Sequence, residues 1–91
     1  MEFVWNEDKN KSNLNKHGIS FEKAKEVFND PGKIIYESEQ DTGEKRFIIS
    51  GEILDILYSV VYTIRETAIR IISARRANEK ERKTYYNKKS S

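Results

Sequence analysis

The feature that most constrains the fold is a change of pattern within the segment Ile69–Tyr86 of this 91-residue chain. An apolar, β-branched run through Ala74 is typical of a buried strand, whereas the densely charged residues 78–89 are typical of an exposed helix. Arg75 and Arg76 lie at the junction. Guanidinium groups are planar, permanently charged donors that suit phosphate oxygens, so the junction is a candidate phosphate site. The alternative, of equal weight, is that both arginines only solvate the end of a strand.

Positive charge is concentrated in the last part of the chain. From Arg65 onward there are nine basic and three acidic residues, a net charge of +6. Because the whole chain carries +2, the preceding part carries −4. This asymmetry favours contact with a polyanion or an acidic partner, and it does not distinguish RNA, DNA, anionic lipid and acidic protein.

The length fits one compact domain, residues 1–91, with a small core. The absence of cysteine excludes disulfides and thiolate metal sites. The first residues, MEFVWNEDK, lack the layout of a secretory signal. The longest apolar run, Ile53–Ile64, is too short to span a membrane and contains Asp55. We therefore expect a soluble cytoplasmic protein that does not associate with membranes.

Two helices are predicted before the strand-rich part of the chain. Asn6 is a good N-cap for the first, which ends at residues 16–17 and has Leu14 as its main apolar contact. Ser20 caps the second, residues 21–28, whose apolar stripe is suited to cover a sheet.

Five strands are predicted from β-branched and aromatic runs: Glu2–Trp5, Lys33–Glu37, Lys45–Ser50, Ile53–Thr63 and Ala68–Ala74. The predicted connections are Gln40–Gly43, Gly51–Glu52 and Arg65–Thr67, and such short links favour an antiparallel meander. The predicted architecture is α+β, with two helices on one face of an antiparallel sheet and a terminal helix. The polar tail Asn87–Ser91 is expected to fray.

Alternation along the last strand places Arg70 on the face of Ala74, opposite Ile69 and Ile71. The same reasoning puts Arg46 on this face, which the two helices leave open.

Arg65 and Arg75 present a difficulty for one compact site. With a rise of about 3.3 Å per residue, a straight strand would separate them by roughly 30 Å. A basic track along an extended nucleic acid accommodates the arginines more easily.

Three aromatic or titratable residues are further candidates. His17, the only histidine, is a possible general acid or base, although a histidine beside a helix-ending glycine more often interacts with the helix end. Tyr85 and Tyr86 could stack on RNA bases or pack the terminal helix onto the sheet. Because adjacent residues do not share a helix face, we expect one to be buried and one exposed.

Several catalytic patterns are missing from the sequence. It has no glycine-rich phosphate loop, no serine–histidine–acid set, no histidine cluster for a metal and no two-metal arrangement of acids. Any nuclease activity is therefore predicted to need no metal and no cofactor.

Four blocks of the chain carry a family resemblance: FVWNEDKNKSNLNKHGISFEKAKEVFNDP, EKRFIISG, VVYTIRE and IRIISARRANEKERKTYY, in that order. Together they resemble the BrnT toxin family, within the RelE-like group of bacterial type II toxin–antitoxin ribonucleases. The most specific part is KHGISFEKA followed by RIISARRA. The resemblance implies a RelE-like fold and an RNA-cleaving activity that blocks translation. It also implies a BrnA-like antitoxin as partner, with operator DNA contacted only through the toxin–antitoxin complex.

The resemblance also suggests which residues act. The expected catalytic residues are Arg46, Arg65, Arg75, Arg76 and Tyr85, and the expected RNA-binding residues are Lys45, Arg70, Lys80, Arg82 and Lys83. In the expected mechanism the ribose 2′-OH attacks the adjacent phosphate, and the arginines stabilise the charge on its oxygens. Two alternatives stay open: a nucleic-acid-binding or co-repressor module without catalysis, and an interaction domain that docks an acidic protein.

Overall fold

The structure, a computed structural model, describes residues 2–38 and 43–90 and the side chains of all of these except Ser90. The elements in chain order are β1 (Glu2–Val4), α1 (Glu7–His17), α2 (Phe21–Ala24), a 3-10 helix (Lys25–Asn29), β2 (Ile34–Glu37), β3 (Phe47–Ile53), β4 (Ile56–Arg65), β5 (Ala68–Arg76) and α3 (Glu79–Ser90). The predicted α+β class and the C-terminal helix are confirmed.

The five strands form one sheet in the order β1-β5-β4-β3-β2. Strands β2 to β5 make the predicted antiparallel meander, but β1 pairs parallel with β5. The prediction of a wholly antiparallel sheet is therefore wrong for β1, and the sheet is mixed. The helical segment carries the chain from β1 at one edge of the sheet to β2 at the other edge, so β1 is not joined to its neighbour β5 by a hairpin turn that would force antiparallel pairing.

The first helix follows its predicted capping signals. The Asn6 side chain accepts a hydrogen bond from the Lys9 N–H at 3.1 Å, and Gly18 closes the helix in the left-handed region at φ +73°. The second predicted helix is α-helical only to Ala24 and continues as the 3-10 helix. Apolar side chains of this layer, including Phe21 and Val27, are fully buried against the sheet.

The predicted turn at Gly51–Glu52 is wrong, because both residues lie within β3. A Cβ atom at position 51 would lie 2.8 Å from the Val27 carbonyl oxygen, so glycine is required for close packing of the 3-10 helix on the sheet. The hairpin turns instead at Leu54 and Asp55, which have φ values of 49° and 68°. Leucine rarely adopts this conformation, which costs roughly 1–2 kcal/mol.

A β-bulge in β5 changes the predicted faces of that strand. Val61 is paired with Ser73 and Tyr62 with Ile71, so Ile72 is an extra residue. Ile71 and Ala74 consequently both point into the helix-covered core. The prediction that Arg70 shares a face with Ala74 is wrong, whereas its position opposite Ile71 follows as expected.

Asn13, and not Leu14, is the buried residue of α1; Leu14 is 48% exposed. The Asn13 side chain accepts a hydrogen bond from the Ala74 N–H at 3.0 Å and donates one to the Ile19 carbonyl at 2.9 Å. β1 pairs with β5 only as far as Arg70, so the backbone of Ala74 lies beyond the end of that pairing. The helix thereby supplies the hydrogen bond that a longer β1 would have made.

α3 covers part of the opposite face of the sheet. Tyr85 packs there with Ile34 and Leu57, and Tyr86 packs against this second cluster. The helix continues through residues predicted to fray and ends at Ser90. Of the connection predicted at residues 40–43, only the last lies within the described residues. No helix in the described part of the chain is long and apolar enough to cross a membrane.

Asn13→Ala is expected to lower the free energy of unfolding by roughly 2–4 kcal/mol, because it leaves the buried Ala74 N–H and the Ile19 carbonyl without partners. Urea denaturation measures this change. Asn15→Ala, at an exposed position of the same helix, is the matched control and should change stability by less than about 0.5 kcal/mol. Equal effects of the two substitutions would contradict the bridging role of Asn13.

Candidate functional site

The junction of β5 and α3 is organised by a reciprocal cap. The Glu81 N–H donates to the Asn78 side-chain oxygen at 2.8 Å, and the Asn78 N–H donates to Glu81 Oε1 at 2.9 Å. This is a capping box, in which a residue before the helix and the third residue within it satisfy each other's backbone groups. Sequence reasoning missed Glu81, although the spacing Asn78-x-x-Glu81 is the signal that predicts such a cap.

The Glu81 carboxylate also accepts hydrogen bonds from three strands. Arg75 of β5 forms a bidentate salt bridge with it, in which Nη1 donates to Oε1 at 2.8 Å and Nη2 donates to Oε2 at 3.0 Å. Ser59 of β4 donates to Oε1 at 2.9 Å, and Tyr36 of β2 donates to Oε2 at 2.6 Å. Glu81 is only 5% exposed, so these donors replace water around its charge.

Burial by itself would raise the pKa of Glu81. The hydrogen bonds from Arg75, Tyr36, the Asn78 backbone and Ser59 outweigh burial and lower the pKa to about 2. The carboxylate in turn raises the pKa of Arg75. The pair therefore stays ionised throughout the neutral range.

Arg75 keeps donors available for a ligand. Its guanidinium has five N–H groups, of which two bind Glu81 and a third reaches the Arg76 carbonyl at 3.3 Å. Within the described residues the other two N–H groups bond to no protein atom, and the side chain is 33% exposed. Arg75 can thus contact a phosphate while Glu81 fixes its position.

The two arginines of the junction do not form one clamp. Arg76 is exposed and pairs in register with Tyr58, which packs against the helix-covered core. Arg75 binds Glu81 on the opposite face, as expected for consecutive residues of a strand. Arg76 can reach a ligand at the strand end only around its edge.

The basic residues of α3 surround this junction unequally. Lys80 lines a cavity of about 310 Å³ together with Tyr36 and Glu81, and it forms no ion pair within the described residues. Lys83 pairs with an exposed glutamate one turn earlier, at 3.5 Å. Arg82 lies 5.8 Å from the centre of the Tyr86 ring. Of these three cations, Lys80 is therefore the one that lines a cavity together with Glu81, the partner of Arg75.

A second basic group lies at the far end of β4 and β5. Arg65 donates to Glu44 at 3.1 Å, and Lys45 is 3.7 Å from Glu37; both are exposed ion pairs that contribute little to stability.

Arg70 lines a cavity of about 340 Å³ with Arg65. By alternation from Phe47, Arg46 lies on the same side of the sheet as Arg70. This end group consists of Lys45, Arg46, Arg65 and Arg70.

The distance between the two groups is shorter than the sequence implied. Arg65 pairs with Ala68 across the turn, so only the length of β5 separates it from Arg75. Seven residues, one of them in a bulge, span roughly 20 Å. The arginines still do not converge on one point.

Tyr85 is buried between α3 and the sheet, and this position does not fit a role in base stacking. It is 1% exposed, and its hydroxyl donates to Asp30 at 2.5 Å. Its ring is closed to a base, so the predicted stacking role has no accessible surface here. Tyr86 is partly exposed, and its hydroxyl donates to Glu52 at 2.9 Å. The expectation of one buried and one exposed tyrosine holds for buried Tyr85, whereas Tyr86 is half-buried and packs against the same cluster.

His17 is exposed at the end of α1, on the helix-covered side of the sheet. It lies on the face opposite Glu81 and is not part of the junction. Among residues 2–38 and 43–90, no group of three or more histidine, aspartate and glutamate side chains could hold a metal ion.

Glu81→Gln is expected to destabilise the fold by about 3 kcal/mol at pH 7, because it removes the charge that pairs with Arg75. The pKa of Glu81 is lowered on folding, so its stabilisation is complete above about pH 4.5 and is lost as the pH falls towards 2. The stability difference between wild type and variant should therefore shrink over this range, as measured by urea denaturation at each pH. Glu79→Gln, at a side chain 83% exposed, is the control. A difference independent of pH would contradict the assignment.

In a comparison with known protein families, residues 5–81 match the family described as ribonuclease toxin, BrnT, of type II toxin–antitoxin systems. No curated protein matches the chain. The matched segment covers well over half of the 91 residues and includes both arginines of the junction and Glu81. The chain therefore belongs to the BrnT family of type II toxin–antitoxin ribonuclease toxins.

Proposed function

We propose that this chain is a RelE-like endoribonuclease that cleaves RNA in the cytoplasm without a metal ion and thereby inhibits translation. A BrnA-like antitoxin neutralises it, and operator DNA is contacted only through their complex. The observation that carries the proposal is Arg75, whose guanidinium is held at two points by buried Glu81 and has two N–H groups that bond to no atom of the part of the chain that the structure describes. Such preorganised donors stabilise charge that develops on phosphate oxygens.

In the proposed reaction the substrate supplies its own nucleophile. The ribose 2′-oxygen loses its proton and forms a bond to the adjacent phosphorus, while the bond from phosphorus to the 5′-oxygen breaks. The leaving oxygen takes up a proton, which gives a cyclic phosphate and a free 5′-hydroxyl. Arg75 binds the non-bridging oxygens, and Arg76 contributes from the strand edge. No side chain is assigned as the general base.

The remaining basic residues hold the RNA backbone. Lys80, Arg82 and Lys83 lie beside the junction. Lys45, Arg46, Arg65 and Arg70 lie towards the other end of β5, and Arg65 is roughly 20 Å from Arg75. A single strand of several nucleotides can contact both groups, within the roughly 4–16 nucleotides that a single-strand-binding fold engages. In this assignment Arg46 and Arg65 position RNA, and Tyr85 anchors α3.

One observation favours the alternative, a nucleic-acid-binding or co-repressor module without catalysis. The charge of Arg75 is balanced by Glu81, and no base is assigned beside it. This alternative keeps RNA binding and produces no new RNA ends, so a cleavage assay separates the two functions.

Arg75→Lys is expected to reduce the rate of RNA cleavage by roughly 10²–10³-fold, because lysine keeps the charge but cannot donate in a fork. Arg76→Gln should cause a smaller loss. The assay is cleavage of purified RNA by the isolated toxin, with the ends of the products mapped. Lys11→Gln, an exposed charge loss on α1, is the control and should cleave at the wild-type rate. Circular dichroism verifies that each variant is folded. Unchanged cleavage by folded Arg75→Lys would refute the role of Arg75.

Cleavage should persist in excess EDTA and should yield cyclic phosphate and 5′-hydroxyl ends. RNA binding should weaken as salt rises, and Arg76→Gln should reduce the slope of log K against log salt by about 0.7, the value for one phosphate contact on a single strand. A strict requirement for added magnesium would contradict the proposed mechanism. Binding without new ends would favour the non-catalytic alternative.

A further inference from the structure

The cavity of about 310 Å³ between β2 and α3 is a separate feature of the junction. Its lining includes Tyr36, Asn78, Lys80, Glu81 and Thr84. Its volume lies at the lower end of the range of small-ligand sites, which suits one flat group better than an extended chain. The proposed function assigns no role to this space.

Tyr36 presents an accessible aromatic ring to this cavity. Tyr36 is 40% exposed, whereas Ile34, two residues earlier on the same face of the edge strand β2, is buried. Its hydroxyl donates to Glu81 at 2.6 Å, which fixes the tip of the ring while the strand fixes its base. A ring that is already ordered loses little conformational entropy when a ligand stacks on it.

The ring and the phosphate-binding donors are linked by one carboxylate. Tyr36 and Arg75 both donate to Glu81 Oε2, at 2.6 and 3.0 Å, so the phenol and the guanidinium converge on the same atom. Lys80, which has no ion-pair partner in the described residues, adds positive charge at the cavity. An aromatic face next to phosphate donors is the arrangement that binds unstacked nucleotides.

We propose that Tyr36 and this cavity form a nucleobase subsite, in which a base of single-stranded RNA stacks on the Tyr36 ring while a neighbouring phosphate contacts Arg75. The inference rests on the proposed function, since it concerns RNA bound at the same junction. The sequence analysis considered stacking for Tyr85 and Tyr86, and Tyr85 is buried. Tyr36 lies 45 residues from Glu81 in sequence and carried no local signal.

The test uses the full chain and a ten-nucleotide, fully 2′-O-methylated RNA, which cannot be cleaved because it has no free 2′-hydroxyl. A second set of probes has one abasic position, moved along the strand. Removing the base that stacks should weaken binding to wild type by roughly 5- to 150-fold, the range that corresponds to one base–aromatic stack.

Tyr36→Ala should weaken binding of the complete probe by a similar factor and should be insensitive to the abasic position. Tyr36→Phe keeps the ring and should retain most of the affinity, although it loses the hydrogen bond to Glu81. Ile35→Ala is the matched control, because Ile35 is the neighbouring residue of the same edge strand, is 50% exposed and points to the other face. It should bind all probes like wild type.

Four outcomes overturn the inference. If Tyr36→Ala weakens complete and abasic probes equally, Tyr36 has only a structural role. If Tyr36→Ala binds the complete probe like wild type, no base stacks on Tyr36, and an accompanying loss of affinity for a partner protein identifies the cavity as a protein-docking site. If wild type neither binds these probes nor cleaves unmodified RNA, the proposed function fails as well. Cleavage of RNA by wild type with no abasic effect refutes the subsite alone.

Discussion

The buried carboxylate of Glu81 is the constraint on which the C-terminal half of the structure depends. It connects α3 to β5 through Arg75, to β4 through Ser59 and to β2 through Tyr36, and it closes the helix cap at Asn78. A carboxylate this deeply buried keeps its charge only when donors replace water, so the same contacts that lower its pKa also fix the positions of the donors. Local stability and the geometry of the candidate site thus have one cause.

This arrangement separates two roles that positive charge can play. Arg75 is charge-compensated by Glu81, so it offers directed hydrogen bonds more than long-range attraction. Long-range attraction comes from exposed cations of the last part of the chain such as Lys80 and Arg76, which form no ion pair within residues 2–38 and 43–90. A charge-compensated donor held in place by a salt bridge, next to exposed cations, suits a site that must first attract a polyanion and then hold one phosphate in a defined geometry.

Much of the secondary structure could be predicted because its signals are local. Asn6 and Gly18 bound α1 as their capping chemistry predicts, and the β-branched runs mark the strands. The errors arose where a long-range contact overrode the local signal. Gly51 resembles a turn residue but serves the close approach of Val27, and the extra residue Ile72 reverses the alternation on which the face of Ala74 was predicted. Val27 is distant in sequence from Gly51, and β4, which sets the register around Ile72, is a separate strand.

The sequence by itself determined the α+β class, the order of the main elements along the chain, the basic character of the last part of the chain and its family. It also located Arg75 at the end of a strand. Only the tertiary structure decided that Arg75 and Arg76 point to opposite faces, that Tyr85 is buried and that Tyr36 is accessible. The physical reason is that burial and ion pairing depend on which distant residues the sheet brings together, and one chain's local pattern carries no information about those partners.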